Sequence, residues 1–328
     1  MVETTSWIDS DDGAKIFVRR WQPKGSSDTG AEKPLAVIQI VHGMAEHSLR
    51  YRRLASALCS RGFEVWAADN RGHGKTADLA VNSAGKGGLL GHTADKDGFF
   101  RVAGDLQVIA RQIAARAKGE YGELPFFILG HSWGSFLAQA FIENLDPAIP
   151  LRGCILSGTR GPGGAKIAMG APVLSLAAFF KGSRKVSKLS VALAKGPYNK
   201  PFRPNRTPND WLSRDEKEVD AYEADPLCGY DCSSGFFRDM IGGLMSIHRE
   251  EDIAKIDKNL PIYIICGSAD PVGDMGASPT ALVNAYRGEG INDLEFVVYT
   301  EARHEIFNET NREEVTEALL NWLLRRLG

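Results

Sequence analysis

The strongest constraint on the fold is a repeated alternation of short apolar runs with longer segments of helical periodicity. The apolar runs that are long enough for strands are Leu35–Val41, Phe63–Ala68, Phe126–Leu129, Leu151–Leu156, Leu260–Cys266 and Leu294–Tyr299. Most are continuously apolar, which is typical of strands buried on both faces. The alternation therefore predicts an α/β fold with a mostly parallel central sheet and helices on both faces.

The helical segments fall between these runs, over residues 50–61, 99–118, 133–145, 278–287 and 312–327. In the last of them Asn311 stands where an N-cap is expected, with Glu314 three residues later. Before the first run, residues 4–22 alternate around Asp11-Asp12-Gly13, which predicts a hairpin.

The alternation stops between about residues 158 and 250, where no convincing strand occurs. An apolar segment, Ile167–Phe180, is followed there by basic residues and a proline-rich stretch. We interpret residues 158–248 as a mainly helical insertion over the sheet and call it the cap. Residues 1–157 and 249–328 then form the two parts of the α/β core.

The charge of the cap differs from that of the remaining chain. The whole protein has a net charge of −2, yet residues 147–209 contain no acidic side chain. Lys181, Arg184, Lys185 and Lys188 directly follow the apolar segment. This pairing is typical of transient contact with anionic lipid; the alternative is a helix that lines a pocket and has a solvated basic edge. No nucleic-acid recognition motif accompanies the charge, so no nucleic-acid partner is expected.

A candidate nucleophile lies in Gly130-His131-Ser132-Trp133-Gly134, which matches the pattern G-x-S-x-G. The pattern alone is common, but here a predicted strand runs into it and a predicted helix follows. A nucleophile elbow requires this strand–turn–helix setting. Ser132 is therefore the predicted nucleophile.

A serine nucleophile needs a base and an acid that orients it, in the chain order serine, acid, histidine. Two histidines follow Ser132: His248 has a helical context, and His304 comes just after the last apolar run. His304 is therefore the predicted base. Asp270 follows the run Leu260–Cys266 and is the predicted acid, with Asp274 as its competitor.

The tetrahedral intermediate of acyl transfer needs two N–H donors for its oxyanion. One is expected at Trp133, next to the nucleophile, and the other in the loop after an earlier strand. Leu35–Val41 leads into His42-Gly43-Met44, so the backbone N–H of Met44 is the second predicted donor.

These residues resemble the α/β-hydrolases of the monoacylglycerol lipase and lysophospholipase type. The resemblance rests on motifs between residues 42 and 309: His42-Gly-Met-Ala-Glu-His-Ser-Leu-Arg-Tyr51, Asp69-Asn-Arg-Gly-His-Gly74, Gly130-His-Ser-Trp-Gly-Ser135, Asp225-Pro-Leu-Cys228, Gly267-Ser-Ala-Asp-Pro-Val-Gly273 and Ala302-Arg-His-Glu-Ile-Phe-Asn-Glu309. It implies the triad Ser132, Asp270 and His304, the oxyanion donors Met44 and Trp133, and a cap that shapes an acyl pocket. Two positions depart from the family pattern: Asn70 replaces a common histidine, and Ser135 a common glycine.

The predicted function is a serine esterase that acts on single-chain lipid esters such as monoacylglycerols or lysophospholipids, without cofactor or metal. Other α/β-hydrolase activities, such as aminopeptidase or thioesterase, and a non-enzymatic ligand-binding role are the alternatives. The N-terminus has no basic and apolar signal pattern, and five scattered cysteines are typical of reduced thiols. We therefore expect a cytoplasmic protein; peripheral membrane contact through the cap is left open beside the pocket-lining alternative.

Overall fold

The fold is built on one eight-stranded sheet. The structure is a computed structural model, which describes residues 1–24 and 33–327, without the side chains of 164–170, 177 and 181. The strands are β1 (Val2–Asp9), β2 (Lys15–Gln22), β3 (Ala36–Val41), β4 (Phe63–Ala68), β5 (Phe126–His131), β6 (Leu151–Ser157), β7 (Ile262–Gly267) and β8 (Leu294–Tyr299). Their order is β1-β2-β4-β3-β5-β6-β7-β8.

The sheet is parallel from β4 to β8 and antiparallel only at the edge that contains the N-terminal hairpin. In the hairpin, Gly13 N–H donates to the Ser10 carbonyl at 2.8 Å, within the predicted turn. The six predicted strands all occur, with ends that shift by at most two residues. The predicted parallel sheet and the hairpin are therefore confirmed.

Ten α-helices surround the sheet in the described part of the chain. They are α1 (Arg52–Ser60), α2 (Gly98–Tyr121), α3 (Trp133–Glu143), α4 (Gly164–Lys181), α5 (Lys188–Ala194), α6 (Glu216–Ala224), α7 (Ser234–Ser246), α8 (Glu250–Ile253), α9 (Ala277–Gly288) and α10 (Arg312–Leu324). The five helices predicted between strands correspond to α1, α2, α3, α9 and α10. Helices α4 to α7 lie between β6 and β7, where the cap was predicted to be helical.

The hydrophobic core has two layers because successive residues of a strand point to opposite faces of the sheet. In β5, Phe126 and Ile128 belong to the layer that contains α2, α3 and α9 residues. Phe127 and Leu129 belong to the layer under α1 and α10. Since each fully buried side chain of this size contributes about 1.5–3 kcal/mol, a continuously apolar strand fits only a sheet covered on both faces.

One detail of α10 differs from the prediction. The helix begins after Asn311, but the Asn311 side chain does not accept a backbone N–H. Its amide donates instead to Glu314 Oε2 at 3.0 Å. With φ −105° and ψ 27°, the Asn311 backbone lacks the extended conformation that a side-chain N-cap requires. The predicted capping box is therefore wrong, although the start of the helix is right.

Parallel strands place all of their carboxyl ends at one edge of the sheet, where ligand sites of α/β folds are found. Here that edge carries the loops after β3, β5, β7 and β8. These four loops hold all five predicted site residues.

Candidate active site

The turn between β5 and α3 holds Ser132 in a strained conformation. Its φ of 53° and ψ of −124° lie in a region that non-glycine residues rarely adopt. The flanking glycines leave no room for side chains: a Cβ on Gly130 would lie 2.4 Å from the Gly134 carbonyl oxygen. A Cβ on Gly134 would lie 2.2 Å from the carbonyl oxygen of Val41. The glycines of the pattern are therefore required by close backbone packing.

His304 and Asp270 meet under this turn, as predicted. His304 Nδ1 lies 2.9 and 3.0 Å from the two carboxylate oxygens of Asp270. Both side chains are buried, at 2% and 0% exposure. Asp274, the competing acid, binds Arg160 Nη2 at 2.7 Å instead. His248, the competing base, lies in the turn after α7 and does not line the cavity that contains His304.

The surroundings of His304 favour its protonated form. Burial of the ring lowers the pKa of His304, but the charge and hydrogen bond of Asp270 raise it more, so the net direction is upward. Nδ1 is committed to Asp270, which leaves Nε2 to exchange a proton. Nε2 is buried, has no hydrogen-bond partner in residues 1–24 and 33–327, and lies in the same cavity wall as Ser132.

The loop after β3 passes directly against the elbow. A Cβ on Gly43 would lie 3.2 Å from the Ser132 Cβ. The N–H of Met44 has no acceptor among the described residues, and Trp133 is the first residue of α3, where an N–H has no intrahelical acceptor. Both N–H groups are therefore available to a ligand in the cavity that Met44, Ser132 and Trp133 line.

Three charged side chains that the sequence analysis missed, two of them buried, support this loop. Glu46 accepts hydrogen bonds from Gly43 N–H at 2.5 Å and from the Tyr51 hydroxyl at 2.9 Å. Arg50 binds Glu46 at 2.8 Å and holds Glu305 with two hydrogen bonds of 2.6 and 2.7 Å. Burial raises the pKa of Glu46, but the charges of Arg50 and of two neighbouring histidines, together with the Gly43 N–H, outweigh burial, and the pKa falls to about 2.

This ionic cluster joins the loop after β3 to the residue next to His304. The separation of Glu46 and Arg50 by four residues, and the position of Glu305 beside His304, were signals in the sequence. The pairing of Arg50 with Glu305, 255 positions away, left no signal in the sequence.

A second missed residue is His131, which precedes the nucleophile. Its ring lies 4.8 Å from that of His304, and its Nδ1 lies 3.1 Å from Ser157 Oγ. Burial, and then the positive charge of His304, lower the pKa of His131 to about 4. His131 is therefore neutral near pH 7 and adds no second cation beside the imidazole.

A cavity of about 680 Å³ opens over Ser132 and reaches under the cap. Most of its wall is apolar, from the core residue Phe136 and the cap residues Leu174, Leu193, Trp211, Met240, Ile241 and Leu244. The carboxylates in its wall are committed to partners: Glu46 and Glu305 to Arg50, and Asp274 to Arg160. The volume and the lining suit a mostly apolar small-molecule ligand.

One group of side chains in the described part of the chain has metal-ligand types, namely His47, Asp225 and Cys228. His47 Nε2 and Asp225 Oδ2 form a hydrogen bond of 2.9 Å, and burial raises the pKa of the Cys228 thiol. The charge of Arg50 lowers the pKa of this thiol, but burial outweighs it. The hydrogen bond between His47 and Asp225 links the loop after β3 to the segment after α6.

The eight-stranded sheet, with its parallel core and the tight turn after β5, has the architecture of an α/β-hydrolase. The chain belongs to the serine aminopeptidase S33 family, whose model matches residues 32–311.

Two relatives and one solved structure give the comparison more detail. A monoacylglycerol lipase of Mycolicibacterium smegmatis is 28% identical over 318 residues, which cover 96% of this chain and 95% of that one. A human monoglyceride lipase is 27% identical and matches 80% of this chain and 72% of its own length. The crystal structure of a thermostable carboxyl esterase from Bacillus coagulans, in complex with glycerol, matches all of both chains with a TM-score of 0.85 and 27% identity.

Proposed function

We propose that this protein is a serine carboxylic-ester hydrolase for single-chain lipid esters of the monoacylglycerol or lysophospholipid type. The observation that carries the proposal is that Ser132 and His304 line the same cavity of about 680 Å³, whose wall is mostly apolar. The relatives named as monoacylglycerol lipases, and the esterase that binds glycerol, support the same substrate class.

In the first half of the reaction, Ser132 Oγ attacks the ester carbonyl while His304 Nε2 takes the hydroxyl proton. Asp270 stabilises the imidazolium that forms and keeps its own charge. The N–H groups of Met44 and Trp133 bind the oxyanion, and each such donor contributes about 3 kcal/mol to the barrier reduction. The intermediate collapses when the C–O bond breaks and His304 returns the proton to the leaving alcohol.

In the second half, water attacks the acyl-enzyme at the same carbonyl carbon. His304 takes a proton from that water, and the oxyanion again lies at the two backbone donors. Collapse releases the fatty acid and returns the proton to Ser132. The acyl chain lies along the cap wall of the cavity, where each buried methylene contributes about 0.8 kcal/mol to binding.

An aminopeptidase, which the family name suggests, would need a free carboxylate for the α-amine of its substrate. Among the described residues of the cavity wall, Glu46, Glu305 and Asp274 are all paired with arginines. Glu46 and Glu305 are buried, so breaking either pair with Arg50 would leave the Arg50 charge without compensation, which is costly. Asp274 is exposed, and its pair with Arg160 is partly solvated. The lining therefore favours an uncharged acyl chain over a peptide N-terminus.

The test is hydrolysis of p-nitrophenyl esters with two to sixteen carbons, together with alanine p-nitroanilide, by wild type and by Ser132→Ala. We expect turnover that increases from acetate to medium or long chains, no cleavage of the anilide, and a silent variant. Monoacylglycerol and lysophospholipid assays then separate the two lipid classes. Cleavage of the anilide alone would support the peptidase alternative. Cleavage of the acetate ester alone would contradict the proposal that the cavity binds an acyl chain.

We further propose that residues 158–248 act as the cap and that its outer surface contacts lipid. Phe179 and Phe180 are 79% and 78% exposed at the end of α4, and Leu176 and Leu189 are also exposed. Exposed aromatic side chains beside cationic ones are typical of surfaces that dock on membranes. No described helix is long and apolar enough to cross a membrane.

The basic residues do not contribute equally to this surface. Arg184 holds Asp95 with two hydrogen bonds of 2.7 Å, so its charge is largely offset. Lys185 and Lys188 are exposed, while the side chain of Lys181 lies outside the described residues. The two exposed lysines and the two phenylalanines are therefore the groups to test.

Sedimentation with anionic phosphatidylserine vesicles tests this contact. Phe179→Ser with Phe180→Ser, and Lys185→Gln with Lys188→Gln, should each reduce binding, and the activity on soluble short esters should stay unchanged. Leu79→Ser is the matched control because Leu79 is also strongly exposed, at 64%, but lies outside the cap. Binding that is unchanged in both double variants would contradict the proposal.

A further inference from the structure

The cap reaches the imidazole of His304 through one aromatic side chain. The ring of Trp211 lies 5.1 Å from that of His304, with an angle of 36° between the planes. The backbone joins the two segments as well: His304 N–H donates to the Trp211 carbonyl at 3.4 Å, and Glu305 N–H to the Leu212 carbonyl at 2.7 Å. The cap thus touches the catalytic histidine at both its ring and its main chain.

Trp211 is itself held in a fixed position. Its backbone N–H donates to Asn199 Oδ1 at 3.0 Å, and its indole N–H donates to Asn209 Oδ1 at 3.3 Å. The ring of Tyr198 packs against the indole at 5.0 Å. The neighbouring Asp210 carboxylate accepts the Thr207 hydroxyl at 2.6 Å and closes the same segment. A tryptophan that is anchored through both its backbone N–H and its indole N–H can impose an orientation on its neighbour.

The charged groups around His304 come from two other loops and from its own segment. Asp270 lies in the loop after β7, Glu305 follows His304 itself, and Glu46 lies in the loop after β3; all three favour the imidazolium. His131, at the end of β5, is neutral near pH 7. None of these groups restrains the imidazole from the cap side, where Trp211 lies.

We infer that Trp211 is a positioning residue for His304: its indole fixes the plane of the imidazole and stabilises the imidazolium that forms during acyl transfer. The face of an indole attracts a cation within about 6 Å, and tryptophan is the strongest aromatic partner for this interaction. The cap therefore has a role in proton transfer besides lining the cavity. The catalytic part of this inference rests on the ester hydrolysis proposed above.

The experiment measures the pKa of His304 by NMR titration of the histidine rings, assigned with His304→Gln among the seven histidines. Trp211→Leu keeps an apolar side chain but removes the aromatic face, and it should lower the pKa by about 0.5 to 1. Trp211→Phe should lower it less. Phe202→Ala is the matched control. Phe202 is also an aromatic residue of the cap, but its ring packs on the guanidinium of Arg303, whose Cζ lies 4.3 Å from the ring centroid. This variant should leave the pKa of His304 unchanged.

The pH dependence of ester hydrolysis provides the second readout. The base must be neutral to act, so the rate rises with pH through the pKa of His304. For Trp211→Leu we expect a lower kcat and an acidic limb displaced to lower pH, with little change in KM. A raised KM with an unchanged pKa of His304 would show that Trp211 only lines the cavity, which would overturn the inference.

The titration does not depend on turnover. A wild type that hydrolyses no ester would contradict the proposed function but would still report whether Trp211 affects His304. If Trp211→Leu does not fold, Trp211→Phe becomes the test. The pKa of His304 in Trp211→Phe must then lie below its wild-type value for the inference to stand.

Discussion

The edge of the sheet and the cap hold their functional residues by different means. At the edge, backbone geometry does most of the work: Ser132 has a positive φ, and Gly130 and Gly134 allow carbonyl oxygens to approach where a Cβ would clash. In the cap, side chains hold the structure, as the hydrogen bonds from Asn199 and Asn209 to Trp211 show. Backbone geometry leaves a short local pattern in the sequence, whereas side-chain anchoring over a long loop does not.

A second set of serine, histidine and aspartate at the junction of core and cap shows why residue types alone do not define a site. His92 Nδ1 lies 2.8 Å from Ser233 Oγ, and its Nε2 lies 3.3 Å from Asp95 Oδ1. Ser233 has an ordinary φ of −68°, is buried, and caps α7 by accepting the Phe236 N–H. These residues tie the cap to the core, and a nucleophile is distinguished from them by exposure to a cavity and by backbone strain.

The largest effect should come from Asp270, the proposed acid of the triad at the edge of the sheet. Asp270→Asn keeps the shape of the side chain but can favour the wrong tautomer of His304, and such a change lowers kcat by about 10⁴-fold. Asp274→Asn is the matched control four residues away, and its effect should be far smaller because Asp274 pairs with Arg160. Equal losses in the two variants would contradict the assignment of Asp270.

A glycine substitution tests the backbone argument through stability. Gly134→Ala places a Cβ 2.2 Å from a backbone oxygen, which cannot move aside cheaply, and should lower the free energy of unfolding by about 3 kcal/mol. Gly104→Ala, on the open face of α2 with nothing within 4 Å, should instead stabilise the protein by about 0.5 to 1 kcal/mol. Urea unfolding of both variants measures the difference, and a stable Gly134→Ala protein would contradict the close-packing argument.

A smaller effect concerns pH and the buried histidines of the edge. Burial lowers the pKa of His73 to about 3, so between pH 6.5 and 5 the unfolded chain binds a proton there that the folded chain does not. Stability should therefore fall as the pH falls, by up to about 1.4 kcal/mol per pH unit for this group. His73→Phe, which keeps a ring against Trp133, should show a shallower fall in urea unfolding at pH 7, 6 and 5. An unchanged slope would contradict the lowered pKa.

Most of the fold was predictable because its signals are local. The continuously apolar runs predicted the strands with ends within two residues, and the elbow pattern predicted the turn that holds Ser132. The pairing of His304 with Asp270 was predictable because chain order and strand ends restrict the choice. Asn311 shows the limit of this reasoning: its position as the N-cap residue was right, but its side-chain contact depends on backbone angles that the pattern does not specify.

The supporting residues were not predictable because their partners are remote in sequence. Arg50 meets Glu305 across 255 positions, and Trp211 meets His304 only after the cap folds back on the core. No periodicity or spacing records such contacts. The basic residues of the cap show the same limit, since the carboxylate that offsets Arg184 is Asp95, 89 positions away in the core.

The most direct test of the account is covalent labelling with a fluorophosphonate, which reacts only with an activated serine. Intact-mass spectrometry of wild type should show one phosphonyl group per chain, and peptide mapping should locate it on Ser132. Ser132→Ala should take up none, and Asp270→Asn should react much more slowly than wild type. Label on another residue, or a wild type that does not react, would contradict the claim that Ser132, His304 and Asp270 form a working nucleophile at the edge of the sheet.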